Sequence, residues 1–479
     1  MRDRCTSLRR AIAVAAIVAV VSVGYQDVPR AQSPALNAKQ RWLAGELLPI
    51  DAVANARARR ATFEREPRQR FVPGRVLVKL ADGLTESSLS ALVSKVGGRS
   101  VTRRPFADFV VMSIDGDRDA IAAAREVAAQ PGVVYAEPEW RRYPTYTPND
   151  PLYHLQWNFQ KLDMERTWDI NRGAESSVIV AVLDSGVAYT TKGATRQAPD
   201  LEGTTFVSPH DFIWDDDTPV DLDGHGTHVT GTIAQRTGND LGVAGMAFNV
   251  AIMPVKVLSG PWDEAMGAPN IGTSATLAEA LRYAADNGAK VINLSLGGEG
   301  ESEAERDAIN YAISKGAVIL AAAGNDGDIG SPPSFPAAFA TEIQGLVAVA
   351  ALDFNLQRAP YSNSNDYVEI SAPGGDTLAD LNGDGFGDGV LQQTLDPISV
   401  DDGIFDDFGY FFFQGTSMAT PHVAGLAALL MSQGVTDPKA IEAVIERFAT
   451  NIGPSGRDND TGFGVINPRA TIRGLGISK

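Results

Sequence analysis

Apolar residues fall into two rhythms along this 479-residue chain. In the C-terminal two thirds, short apolar runs at 178–183, 251–258, 291–296, 318–322 and 346–350, broken only by Pro254, Lys256, Asn293 and Ser295, are bounded by Gly, Asn or Asp. Continuous rather than alternating apolarity marks a strand buried on both faces. Between these runs lie stretches with helical spacing at 225–235, 274–287, 302–315, 417–431 and 437–448. Strands separated by helices of this length predict a doubly wound α/β domain, a mostly parallel sheet with helices on both faces.

The N-terminal third reads differently. Residues 70–80 form a strand pattern, followed by a helix over 87–96, a strand over 109–114, a helix over 118–130 and an edge strand over 133–140. This predicts a small α+β unit at 70–142, ahead of a main domain at 149–475. Further upstream, Arg2, Arg4, Arg9 and Arg10 precede an apolar run at 11–23, the basic and hydrophobic regions of a secretory signal, assigned to 1–31. That run falls short of the ~20 residues a membrane span needs, which leaves a retained anchor as the alternative. Residues 32–69 are rich in Arg and Ala, with a helical stretch at 52–60, and read as a linker.

Charge reinforces the division. Residues 1–142 hold 23 basic and 15 acidic side chains, and the remainder holds 18 and 44, net charges of +8 and −26. The acidic body argues against nucleic-acid binding and favours cations. The one cysteine, Cys5, lies in the signal segment, so the mature chain has neither a disulfide nor a thiol nucleophile.

Three blocks carry chemistry. The first strand run ends in Asp184-Ser185-Gly186, Asp223-Gly-His225-Gly opens a helix, and Gly415-Thr-Ser417-Met-Ala opens another. Three element ends of this kind converge at one edge of an open α/β sheet. There a carboxylate orients an imidazole, the imidazole removes a serine proton, and the serine attacks a carbonyl carbon. A capping serine is the bland alternative for Ser417 alone. His228 and His422 read as residues that pack or bond within the fold, and no zinc motif is present.

The Asp…His…Ser order, with these motifs, resembles the subtilisin-like serine peptidases. The resemblance implies an inhibitory, folding-assisting prodomain at 70–142, removed between Trp140 and Asp150. Arg141-Arg142 and the stretch 143–148 are both candidate cleavage sites. It implies that Asn325, in Gly-Asn-Asp-Gly, donates to the oxyanion, where an Asx turn is the alternative. It further implies that Ser295, Leu296 and Gly297 form one wall of the substrate pocket and pair with an extended peptide. Ala322, Ala323 and Gly324 form the other wall; Asp326, beside Asn325, reads as a solvated loop residue, with a rim charge that helps basic side chains as the alternative.

Calcium is the expected cofactor, and no organic cofactor is implied. By the same resemblance Asp200 is a calcium ligand. The loop 237–243 offers Asn239 and the backbone carbonyls of Thr237, Leu241 and Val243. A second candidate is Asp380-Leu-Asn382-Gly-Asp384-Gly-Phe-Gly-Asp388, with oxygen side chains at positions 1, 3, 5 and 9 of an EF-hand-like loop. Its position 12 is Leu391, flanking helices are missing, and a solvated acidic loop is the alternative. It lies in an acidic insertion at 374–409.

The expected activity is that of a secreted, extracellular or periplasmic serine endopeptidase, made as a self-processing zymogen. It would act on protein or peptide substrates, with its own prodomain as intramolecular inhibitor and no membrane span after signal removal. A narrow-specificity processing protease, which would want an acid-lined cleft, and an inactive binding protein of the same fold are the alternatives.

Overall fold

The computed structural model describes residues 71–81, 83, 85–140 and 146–474. The expected signal, the linker, Arg141-Arg142 and the first half of the expected cleavage stretch, 143–145, lie outside the described residues.

The first unit is a four-stranded antiparallel sheet in the order β2-β3-β1-β4. Its strands are β1 (Phe71–Leu80), β2 (Ser100–Arg103), β3 (Val110–Ser113) and β4 (Val133–Trp140). Helices α1 (Glu86–Lys95) and α2 (Ala120–Ala128) connect them. Thr85 and Asp119 cap the two helices through their side chains. Val76, Val78, Leu92, Met112, Ala123 and Val127 share one buried core. β2 was not expected: its pattern Ser-Val-Thr-Arg is largely exposed, so apolarity does not announce it.

The second unit holds the large sheet. Its strands are β5 (Ile179–Asp184), β6 (Thr205–Phe206), β7 (His210–Asp211), β8 (Ala251–Lys256), β9 (Val291–Leu294), β10 (Val318–Ala322), β11 (Leu346–Leu352) and β12 (Ile370–Pro373). Their order is β12-β11-β10-β9-β5-β8-β6, with β7 also on β8, and every pairing is parallel. Alternate residues face opposite layers. Val180 and Val182 enter a core shared with α3 (His225–Ala234), α6 (Thr416–Ser432) and α7 (Pro438–Phe448). Ala181 and Leu183 enter another, shared with α4 (Ser274–Asp286) and α5 (Glu303–Ser314). Two buried faces explain the apolar runs.

Chain order reverses at β5, which has β8 on one side and β9 on the other. Such a switch leaves a crevice beyond the carboxyl ends of the strands. The predicted helices form within a residue or two of expectation, with side-chain caps from Thr273, Ser302 and Asp437. An antiparallel hairpin begins within the expected insertion and ends four residues beyond it. It consists of β13 (Val390–Leu395) and β14 (Phe408–Phe413). Gln392, Gln393 and Thr394 are buried in it, and buried polar residues read as surface from sequence alone.

Candidate active site

Asp184 is the last residue of β5 and fully buried. Its Oδ1 accepts the Ser185 backbone N–H and the His225 Nδ1–H, both at 2.7 Å. A carboxylate only accepts, so Nδ1 carries the proton and Nε2 is left as the basic nitrogen. The approach needs Gly226, since a Cβ there would lie 2.1 Å from the Gly186 carbonyl. Asp221 ties the surrounding turn, accepting from Ser185 Oγ at 3.0 Å and from Thr227 N and Oγ1 at 2.9 and 2.6 Å. Behind it, Lys256 pairs with Asp263 at 2.9 Å, both buried, and donates to the Ser185 carbonyl.

Burial alone would lower the His225 imidazole. The Asp184 carboxylate opposes that by charge and hydrogen bond, Asp223 and Asp221 add to it, and the net result is a value above the ordinary range. His228 and His422 are pushed the other way by burial, to about 3 and about 4, and stay neutral. His228 Nε2 lies 3.1 Å from the carbonyls of Val390 and Phe411, while His422 bonds Met418 O and Asn158.

Ser417 is the second residue of α6. Its hydroxyl donates to the Ser295 carbonyl at 3.0 Å, and Ser295 Oγ donates back to the Ser417 carbonyl at 2.7 Å. No hydrogen bond joins His225 to Ser417 among the described residues. Such bonds are often loose until substrate arrives. Asn325 follows β10, and its Oδ1 accepts from Thr416 N and Oγ1 at 2.9 Å. That fixes the amide flip and leaves Nδ2 as the donor.

Asn325, Thr416 and Ser417 line a pocket of about 190 Å³ together with Leu296, Gly297, Ala322 and Gly324. Two expected wall residues lie elsewhere. Ala323 is fully buried behind the wall, and Ser295 sits beneath the serine rather than on the pocket surface. Asp326 and Glu299 both line it. Glu299 was missed, although it directly follows the Gly297-Gly298 pair that marked this edge. The Gly298 backbone is already paired with Phe335, which leaves the shorter stretch before it for a peptide.

The residues expected at calcium also cluster. Asp200 is fully buried; its Oδ1 accepts Asn239 Nδ2 at 2.8 Å and its Oδ2 accepts Val243 N at 3.0 Å. Burial pushes its carboxyl up to about 7 against the hydrogen bonds from Asn239 and Val243, and nearby Asp150 adds repulsion. Asn239 Oδ1 accepts the Leu241 N–H, and Thr237 Oγ1 donates within its own turn to Gln235 O. Asp150 was missed; it is buried and accepts the Gly238 N–H at 2.8 Å. Its signal was faint, one carboxylate in Asn-Asp-Pro far upstream of the loop. Two buried carboxylates without an ion pair among the described residues, in an all-oxygen setting, fit a hard divalent cation. The second candidate, Asp380 to Asp388, folds as one loop beside β13, with only Asp388 fully buried among its four predicted ligands.

Residues 175–464 match the subtilase family, and residues 57–139 match the fervidolysin N-terminal prodomain. A thermophilic serine proteinase from Bacillus sp. (strain AK1) is 35% identical over 389 residues, covering 81% of this chain and 84% of that protein. An extracellular protease from Xanthomonas campestris pv. campestris is 33% identical over 399 residues, covering 74% and 61%. The crystal structure of fervidolysin from Fervidobacterium pennivorans aligns with a TM-score of 0.55 at 26% identity, over 85% of this chain and 61% of that one.

Proposed function

The chain belongs to the subtilase family of serine peptidases, and we propose that Asp184, His225 and Ser417 are its catalytic triad. The observation that carries this reading is the 2.7 Å bond from His225 Nδ1 to Asp184, which commits Nε2 to act as base. In the reaction the Ser417 hydroxyl swings from the Ser295 carbonyl to Nε2, loses its proton there, and attacks the scissile carbonyl carbon. Asn325 Nδ2 and the Ser417 backbone N–H receive the oxyanion. His225 then protonates the leaving amine, and water repeats the sequence on the acyl-enzyme.

Ser417→Ala is expected to abolish labelling by a fluorophosphonate and to lower kcat by roughly 10⁶-fold, the figure known for subtilisin rather than one deduced from this geometry. Retained labelling at another residue would sink the assignment.

The serine peptidase carries a subtilase-type prodomain, and secretion is the reading its signal-like N-terminus supports. Self-processing is proposed to fall before Tyr146. That residue is already anchored to the body, its N–H on Asp169 at 2.9 Å and its ring against Trp168 and Phe248. Calcium is proposed at Asp200, Asn239 and the 237–243 carbonyls, with Asp150 as an added carboxylate. Bound there, the ion supplies charge neutralisation that holds the loop to the body.

Specificity follows from the pocket rim. Glu299 and Asp326 favour a basic side chain before the scissile bond, as in the processing-protease reading, while the apolar walls accept its stem. Glu299→Gln is expected to lower kcat/KM for Arg or Lys about threefold to tenfold while leaving Leu and Phe substrates unchanged, worth roughly a kcal/mol for an exposed charge. An equal effect on both substrate classes would remove Glu299 from specificity.

A further inference from the structure

We propose that the loop 380–388 is a second divalent-cation site, suited to calcium and formed by Asp380, Asn382, Asp384, the Phe386 carbonyl and Asp388.

The decisive observation is Asp388. It is 1% exposed, its Oδ2 is held by the Leu381 N–H, and its Oδ1 is buried with no hydrogen-bond partner among the described residues. A buried carboxylate oxygen without a partner is costly unless an ion or a proton meets it. The groups facing it make matters worse. Asp384 and Asp380 both bear on Asp388 with the same sign. The one cation recorded near it, Lys161, is shared with Asp353 and makes no ion pair with Asp388 within bonding distance among the described residues. Lys161 instead lies 4.1 Å over the Phe354 ring.

The rest of the loop is held in shape by its own side-chain oxygens. Asp380 Oδ2 accepts the Gly385 N–H at 3.2 Å, Asn382 Oδ1 the Asp384 N–H at 2.7 Å, and Asp384 Oδ1 the Phe386 N–H at 2.9 Å. Among the described residues, Asp380 and Asp388 therefore each keep an oxygen for a ligand. Three carboxylates, an amide and a backbone carbonyl make an all-oxygen set, which suits calcium rather than a soft metal. Leu391 at position 12 is already part of β13, so no bidentate Glu completes the set. With that ligand missing, affinity belongs at the weak end of the calcium range, on the order of 10⁻⁴ M.

The position gives such an ion a consequence. Thr377, at the start of the loop, donates from N and Oγ1 to Gln414 Oε1 at 2.6 and 2.8 Å, and Gly415 N donates to the Gly374 carbonyl. At the far end, Trp157 Nε1 donates to the Gly389 carbonyl at 2.8 Å. The loop is thus clamped to the two residues leading into Thr416 and Ser417, and an ion there stiffens the turn that carries the nucleophile.

The test is calcium stoichiometry by equilibrium dialysis at 1 mM free calcium, on the full chain carrying Ser417→Ala so that no proteolysis intervenes. Asp384→Asn and, separately, the exposed Asp380→Asn should each bind one calcium fewer than the parent. Asp200→Asn should retain the loop's ion whatever happens at its own site, which keeps the two calcium readings distinguishable. Near-ultraviolet circular dichroism checks that each variant is folded; should Asp384→Asn unfold, Asp380→Asn decides. Unchanged stoichiometry in the folded loop variants overturns the proposal.

Discussion

Pro421 sits one turn into α6, where it has no N–H to give the Ser417 carbonyl four residues earlier. Ser295 Oγ takes that carbonyl instead, at 2.7 Å, while its own carbonyl holds the Ser417 hydroxyl. Under the proposed triad, Ser295 is therefore a positioning residue for Ser417 rather than a wall of the pocket. Ser295→Ala leaves a carbonyl beside the reacting serine unsatisfied, a cost of about 1–3 kcal/mol. We expect kcat to fall about tenfold or more with KM nearly unchanged, read from steady-state kinetics on a short peptide. A raised KM at constant kcat would return Ser295 to substrate binding. From sequence, the motif Asn-Leu-Ser-Leu-Gly-Gly exposed this residue but not its role, because that role depends on a proline 126 positions away that only the fold brings near.

At the scale of elements, the sheet and its helices were legible because the long central strands are apolar on both faces and helices α4, α5 and α7 carry capping side chains. The hairpin β13–β14 was not. Its buried Gln392, Gln393 and Thr394 donate to groups outside their own strand, namely Ala244 O, Tyr410 Oη and the Gly224 carbonyl. Gly224 immediately precedes His225, so the hairpin braces the start of the histidine helix. His228, one turn further on, adds Nε2 to carbonyls from both hairpin strands and stacks its ring on Phe413 at 4.4 Å. His228→Phe removes that donor while keeping an aromatic ring. A loss of about 1–3 kcal/mol is expected, with His228→Gln recovering part of it, in urea unfolding of the Ser417→Ala chain. Equal losses in both variants would assign the effect to packing instead.

For the whole molecule, pH acts through a cluster that no local motif revealed. Glu369, before β12, and Glu442 and Glu446, on α7, bring carboxylate oxygens within 4.8 Å of one another at the seam between sheet and helix layer. Burial, then the neighbouring Glu442 and Glu446 charges, push Glu369 up to about 9. Burial also raises Glu442 to about 7, against its hydrogen bond from the Gly345 N–H. An unfolded chain releases these protons near the ordinary glutamate value of ~4.3, whereas the folded chain keeps them well above it. The folded state thus binds more protons between those limits, and stability must fall as pH rises through them. The contribution is complete at pH 4 and lost progressively toward pH 9. Glu369→Gln replaces the most strongly shifted carboxyl with a neutral side chain of the same shape. Its melting temperature, in the Ser417→Ala background at fixed calcium, should match the parent near pH 5 and exceed it at pH 9. An advantage that is the same at both values would mean that Glu369 acts through packing, and the proton-linked account of this seam would fail.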